Sequence, residues 1–252
     1  MQIDINCDMG ESFGSWVMGN DAAIMPYISS ANVAGGYHAG DAHTMRSTVI
    51  MAKEHGVAVG IHCGLRDLEG FGRRYIRITP QEVYDDVIYQ LGALQAFAAT
   101  VGLGVHHVKP HGALYMMAAQ DEELSRAIID AVAKVNTRVI LYCMEASVTY
   151  AVAKRVGYPV AAEFYADREY DDNGQIIFTR KVDTTLNPEV VAQRVVRALK
   201  EGVVTTVSGK DINVKANTVC LHGDTPGAPL LAKTLYQALT EQGIRVVPLN
   251  AP

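Results

Sequence analysis

Ionisable side chains recur just beyond short apolar runs of this 252-residue chain. Asp8 and Glu11 follow residues 3–7, His38 and Asp41 follow 31–35, His62 follows 57–61, and Lys109 and His111 follow 105–108. Glu163, Asp167 and Arg168 lie in and beyond 160–164, while His222 and Asp224 follow 219–221. Buried carboxylates can take a proton, order water or ligate a metal, because their ionisation responds strongly to burial and neighbouring charge. Imidazoles exchange protons near neutrality or bind metals, a lysine ammonium stabilises an oxyanion or acyl phosphate, and Arg168 or Arg180 can grip a carboxylate with two parallel N–H groups.

Each residue also has a plainer reading. Asp8 and Glu11 can be solvated acids of a turn, and Lys109 can be a salt-bridged lysine. Asp41 precedes a helix-like stretch holding Met45, Val49 and Ala52, so it can cap that helix as readily as orient His38. Asp224 or Thr225 can cap the helix that contains Pro226. His38, His62 and His111 fall at similar points in separate units, which favours a shared pocket over three unrelated core histidines. His43 reads as an exposed first-turn residue, and Cys63 as a small buried side chain rather than a nucleophile.

Positioning these groups requires strands that end on a common rim. Strand-like runs at 3–7, 31–35, 57–61, 105–108, 139–142, 160–164 and 219–221 mostly alternate with helical patterns, as parallel βαβ units require. Thr79, Pro80 and Glu82 spell an N-cap, a first-turn proline and a capping-box acid, with Gly102 as the stop. Val83, Val87, Leu91, Leu94 and Val101 then share one helical face. Leu124, Ile128, Ala131 and Val135 repeat that spacing, as do Ala228, Leu231, Leu235 and Leu239; Asn187-Pro188 starts another helix. The segments 66–77 and 165–182 read as rim loops, the latter with a hairpin through 175–180. Seven strands predict an α/β barrel whose eighth unit is incomplete or atypical, and the whole of 1–252 reads as one domain.

Composition narrows the class. A net charge of −5 argues against a nucleic-acid binder, and four scattered cysteines without a CxxC pair read as reduced thiols. The N-terminal stretch lacks the pattern of a secretory signal and no segment has the length of a membrane span, so a cytoplasmic protein is expected. Neither a GxxxxGK[ST] loop nor a strand-linked GxGxxG is present, and Arg73 and Arg74 near Gly70 are a weak substitute for a phosphate cradle.

The segments DINCDMGESFG, SANVAGGYHAGD, DLEGFGRR, YQLGALQAF, HVKPHGALY, EFYADREYDDNG and CLHGD occur in one order along nearly the whole chain. By them the chain resembles the LamB/YcsF lactam-utilisation family, whose members are described as A subunits of bacterial 5-oxoprolinase. The resemblance implies a seven-stranded parallel β/α barrel similar to the glycoside hydrolase/polysaccharide deacetylase fold. It also implies ATP-dependent opening of 5-oxoproline to glutamate together with B and C subunits, with ATP as co-substrate. It carries Asp8, Glu11, His38, Asp41, His62, Lys109, His111, Glu163, Asp167, Arg168, His222 and Asp224 over as pocket residues. In that reaction Asp8 or His38 would be the base, Lys109 the oxyanion stabiliser, and His111 or His222 the aid to ring-nitrogen departure. Two other functions stay open: a metal-dependent deacetylase or amidase with Asp8, His38 and His62 as ligands, and a non-catalytic lactam-binding component. Self-association into a homo-oligomer and the presence of a divalent metal also stay open.

Overall fold

Seven parallel strands close into a barrel in the computed structural model, which describes residues 1–178 and 186–250. Strands β1 (Gln2–Met9), β2 (Ser30–Ala34), β3 (Ala58–Cys63), β4 (Val105–Pro110), β5 (Ile140–Cys143) and β6 (Val160–Tyr165) neighbour one another in chain order. A short antiparallel pair, β7 (Val203–Thr205) and β8 (Asp211–Asn213), stands apart from the ring. β9 (Thr218–His222) then pairs with both β6 and β1 and completes the closure. The expected atypical eighth unit is β10 (Arg245–Val246), two residues paired with the first residues of β1.

Among the described residues, eight α-helices connect the strands: α1 (Asp21–Ile24), α2 (Ala42–His55), α3 (Pro80–Thr100), α4 (Gly112–Ala118), α5 (Glu122–Val135), α6 (Val148–Arg155), α7 (Pro188–Glu201) and α8 (Ala228–Glu241). Local chemistry sets their starts. Thr79 and Glu82 form the reciprocal capping box at the head of α3, and the Asn187 side chain accepts from the backbone N–H groups of Glu189 and Val190 at the head of α7. The buried stripe Val83, Val87, Leu91 and Leu94 of α3 packs into the apolar layer between helices and strands. None of the helices is long and apolar enough to cross a membrane among the described residues.

Strand alternation divides β1 into two faces. Ile3, Ile5, Cys7 and Met9 join the apolar layer, whereas Asp4, Asn6 and Asp8 point into the barrel. There Ser29 and Ser30 donate to the Asp4 carboxylate at 2.6 and 2.7 Å, and Thr218 donates to it at 2.6 Å. Asn6 donates to the Thr218 hydroxyl at 2.8 Å, and the Asn32 amide donates to Asn6 Oδ1 at 2.7 Å and to Asp8 Oδ1 at 2.8 Å. His107 Nε2 meets Asn32 Oδ1 at 2.7 Å. A continuous polar column thus runs from the barrel floor up to Asp8.

Magnitudes assign the two faces different work. A buried Ile or Leu side chain contributes about 1.5–3 kcal/mol, while a satisfied internal hydrogen bond nets only about 0.5–1.5 kcal/mol. The apolar layer therefore holds the fold, and the column's larger consequence is to fix side chains, since an orphaned partner would cost its full desolvation. Gly60 is needed for that fixing: a Cβ there would lie 2.2 Å from the His107 ring.

Candidate active site

The strand ends on the C-terminal rim deliver Asp8 and Glu11 from β1, His62 from β3, Lys109 and His111 from β4, Glu163, Asp167 and Arg168 from β6, and His222 from β9. Asp8 is the hub. Its Oδ1 lies 2.8 Å from Lys109 Nζ, and its Oδ2 lies 3.3 Å from His62 Nε2 and 3.7 Å from His222 Nε2. Burial opposes a charge on Asp8, but the neighbouring His62 and Lys109 side chains outweigh it and hold the carboxyl well below its usual range. Lys109 is likewise opposed by burial, and Asp8, Cys220 and Glu163 together hold it well above its usual value. A carboxylate and an ammonium, both ionised, therefore face each other in a dry site. The Lys109 ammonium also touches Cys220 Sγ at 2.9 Å and stands 3.4 Å from Glu163 Oε1, so its third N–H is its least satisfied donor.

A second group surrounds Asp167. Its carboxylate meets His222 Nδ1 at 2.8 Å, Arg168 at 3.1 Å and the Thr225 hydroxyl at 2.9 Å. Burial raises the Asp167 carboxyl, yet His222 and Arg168 win and leave it far below its usual range. Ionised Asp167 accepts only, so His222 Nδ1 carries the proton and Nε2 is turned toward Asp8. This carboxylate-held imidazole has the geometry of a general acid–base, with one nitrogen oriented and the other free for substrate.

Glu11, His38, His62 and His111 form a third group whose ligand-capable atoms all lie within 4.8 Å of one another. His38 stacks on His111 with ring centroids 3.7 Å apart, enclosed by Gly64 and Gly72. Gly72 has a φ of +62°, and a Cβ there would strike both His38 and His111. Burial pushes His38 and His111 well below the usual histidine range and Glu11 well above the usual carboxylate range. Asp8 instead groups with Cys220 and His222. Of the expected ligand set Asp8, His38 and His62, Asp8 lies 3.3 Å from His62 Nε2, and His38 and His62 also face Glu11 and His111.

A cavity of about 420 Å³ opens over these groups, lined among others by Asp8, His62, Lys109, His111, Arg168 and His222. Tyr115, Tyr165, Ile176 and Phe178 supply apolar wall, and Arg73 reaches the cavity while pairing with Asp224 at 2.8 Å. Of the two arginines in the 66–77 loop considered for phosphate, Arg74 is tied instead to Asp67. His38 and Glu11 do not line the cavity; they lie behind His111. Glu163 takes a hydrogen bond from the Tyr115 hydroxyl at 3.0 Å rather than presenting itself to the opening. Segment 165–178 reverses through a bridge between Tyr170 and Ile176, which brings Ile176 and Phe178 to the cavity. Arg180 lies outside the described residues.

Asp41 sits apart. Its carboxylate accepts from Thr44 N–H and Gly14 N–H, both at 2.8 Å, and so caps α2 and pins the 12–18 loop. It does not orient His38, whose carboxylate neighbour is Glu11 at 3.6 Å. Asp41→Ala is expected to cost about 1 kcal/mol of stability in urea unfolding, the usual loss for a removed N-cap, and to leave turnover nearly unchanged. All four cysteines are free and buried, and burial pushes the Cys63 thiol up to about 12, so it is not a nucleophile at neutral pH. Asn32, Tyr115, Tyr165 and Cys220 are site neighbours that residue-type reasoning passed over; the alternation of Asp4, Asn6 and Asp8 was the available signal for an inward polar face.

The sequence profile of the LamB/YcsF family matches residues 3–252. The chain belongs to that family. This LamB/YcsF member is 51% identical to one of the 5-oxoprolinase A subunits of Pseudomonas aeruginosa, over 97% of this chain and 98% of that one. It is 45% identical to the 5-oxoprolinase A subunit of Thermococcus onnurineus, over 99% and 98% of the two chains. Its fold superimposes on the crystal structure of the lactam utilization protein from Thermus thermophilus with a TM-score of 0.93 and 41% identity, covering 99% of this chain and all of that one (100%). A family 4 carbohydrate esterase from Streptomyces lividans shares the fold alone, at a TM-score of 0.51 and 10% identity, over 99% of this chain and 93% of the esterase.

Proposed function

We propose that this chain is a single-domain cytoplasmic component of an ATP-dependent 5-oxoprolinase, opening 5-oxoproline to glutamate with B and C subunits. The observation that carries the catalytic part is that Lys109, paired with Asp8, and His222, held by Asp167, line one cavity. The names of its relatives support the substrate and the need for partners.

A lactam carbonyl is a poor electrophile, and phosphorylation is one way to activate it. The lactam oxygen displaces ADP from the γ-phosphorus of ATP, and water then adds to the phosphorylated carbon. The ring C–N bond breaks, the nitrogen takes a proton, and γ-glutamyl phosphate forms. A second water releases glutamate and phosphate. In this reading His222, held by Asp167, moves protons between water and ring nitrogen, a role supported by its contacts with Asp167 and Asp8. Lys109 offers its least satisfied N–H to the developing oxyanion, and Arg168 the charge for the substrate carboxylate. His38 is not among the residues that line the cavity, so this reading assigns it no base role; His111 donates one N–H to the Phe71 carbonyl and faces the buried cluster with its other nitrogen.

Purified chain mixed with candidate B and C subunits should release glutamate from 5-oxoproline only when ATP is present, and should turn over negligibly alone. Vigorous ATP-independent release would reject this version. The buried Glu11–histidine group favours one second reading, a stand-alone metal-dependent amidase or deacetylase. That enzyme would work without partners and lose activity on chelation.

A further inference from the structure

Two imidazoles in the Glu11–His38–His62–His111 group are held in a mutually repulsive arrangement. His62 Nδ1 lies 2.9 Å from the Lys109 carbonyl, and His111 Nε2 lies 2.8 Å from the Phe71 carbonyl. A carbonyl only accepts, so each of those nitrogens carries its ring's proton. The remaining nitrogens, His62 Nε2 and His111 Nδ1, are then bare lone pairs, and they face each other at 2.8 Å. Beside them Glu11 Oε1 and both nitrogens of His38 are buried without any hydrogen-bond partner. Orphaned polar atoms of this kind cost about 1–3 kcal/mol each, so four convergent acceptors call for a positively charged occupant.

A proton can serve as that occupant only in part. Placed between His62 and His111 it joins those two rings and leaves Glu11 Oε1 and the cluster-facing nitrogen of His38 unpaired. A single ion satisfies all four at once. We propose that Glu11, His38, His62 and His111 together bind one divalent transition-metal ion of the zinc class. Ligand atoms around a tetrahedral ion at bond lengths of ~2.0–2.1 Å stand about 3.3–3.4 Å apart. Here the pairs His62–His111, His38–Glu11 and His111–Glu11 are 2.8, 3.6 and 3.9 Å apart, values that bracket that separation. Three imidazoles and one carboxylate select zinc, cobalt, nickel or iron over magnesium and calcium, which prefer all-oxygen shells. The carbonyls of Lys109 and Phe71 act as the outer partners that fix ring tautomer and direction, a recurrent feature of histidine metal sites. With Glu11 and His38 behind the cavity wall and all four positions supplied by protein, the ion acts as a fixed charge that anchors His62 and His111. The inference rests on ligand geometry and holds whether or not 5-oxoproline is the substrate.

The test is binding, not turnover. Full-length chain purified without a histidine tag is analysed for metal content, stripped with a chelator, and titrated with cobalt(II) while its visible absorption and melting temperature are followed. One ion per chain, d–d bands of a low-coordinate N/O site without thiolate charge transfer, and a higher melting temperature on reloading are expected. Glu11→Gln and His38→Gln, checked for native circular dichroism, should each weaken cobalt affinity by at least the ~10–100-fold that loss of an outer partner causes. Cys220→Ser, from the neighbouring Asp8–Cys220–His222 group, should leave it unchanged. Wild-type chain that neither retains nor takes up an ion overturns the proposal, as does binding that survives both ligand substitutions or disappears with Cys220→Ser.

Discussion

Lys109→Met should abolish glutamate formation by the assembled enzyme and destabilise the chain by about 3–5 kcal/mol, the usual cost of removing one partner from a buried ion pair. Methionine fills similar volume but leaves Asp8 facing an apolar methyl where an ammonium stood at 2.8 Å. The Asn32 amide, at 2.8 Å, then remains as a hydrogen-bond donor to that carboxylate. Losing a preorganised oxyanion donor alone commonly slows kcat by about 10²–10³-fold, and the misplacement of Asp8 adds to it. Urea unfolding and turnover with the partner subunits measure the two effects separately. Normal turnover by a Lys109→Met chain that still assembles would support the non-catalytic, lactam-binding alternative.

The second large effect is expected at His222. His222→Gln should lower kcat by about 10²–10⁴-fold, the range typical of a general acid–base, while Arg168 and the Thr225 hydroxyl continue to hold the Asp167 carboxylate and limit the loss of stability. Asp167→Asn should reduce kcat by a comparable factor, since an amide can donate as well as accept and no longer dictates which His222 nitrogen is protonated. This second variant also has a pH signature. The Asp167 carboxyl is depressed in the folded chain, so its contribution to stability is complete above the ordinary aspartate value of about 4 and fades as pH falls through the lower folded value. Melting temperatures of the Asp167→Asn chain should therefore fall less steeply below about pH 4 than those of the wild type. Equal slopes, with unchanged kcat, would remove the Asp167–His222 pair from the mechanism.

What the sequence made legible was whatever local chemistry determines. The capping box of Thr79 and Glu82, the stripe from Val83 to Leu94, and the apolar runs that became the seven barrel strands are decided within a few residues. The rim placement of Asp8, His62, Lys109 and His222 follows from parallel topology, because each stands at the end of its strand. Pairings across the barrel were hidden. Asp167 meets His222 over 55 residues of sequence and Lys109 meets Asp8 over 101, and no local pattern encodes such partners. Asp41 displays the opposite case: its cap was readable, but its hold on Gly14 came only with the fold. Asn32 was missed because the small-residue run SANVA reads as a strand whose one amide is unremarked, although its register beside Asp8 makes it the bridge between column and site. The pair β7 and β8 escaped because three-residue strands around Ser208-Gly209 give too short a run to show a period.

The most direct measurement of the proposed site is the position of 5-oxoproline bound to the crystalline protein. The lactam carbonyl should lie against Lys109, the ring nitrogen near His222 Nε2, and the carboxylate beside Arg168 in the cavity of about 420 Å³. A ring seated away from Lys109 and His222, or a cavity that stays empty under saturating ligand, would contradict it.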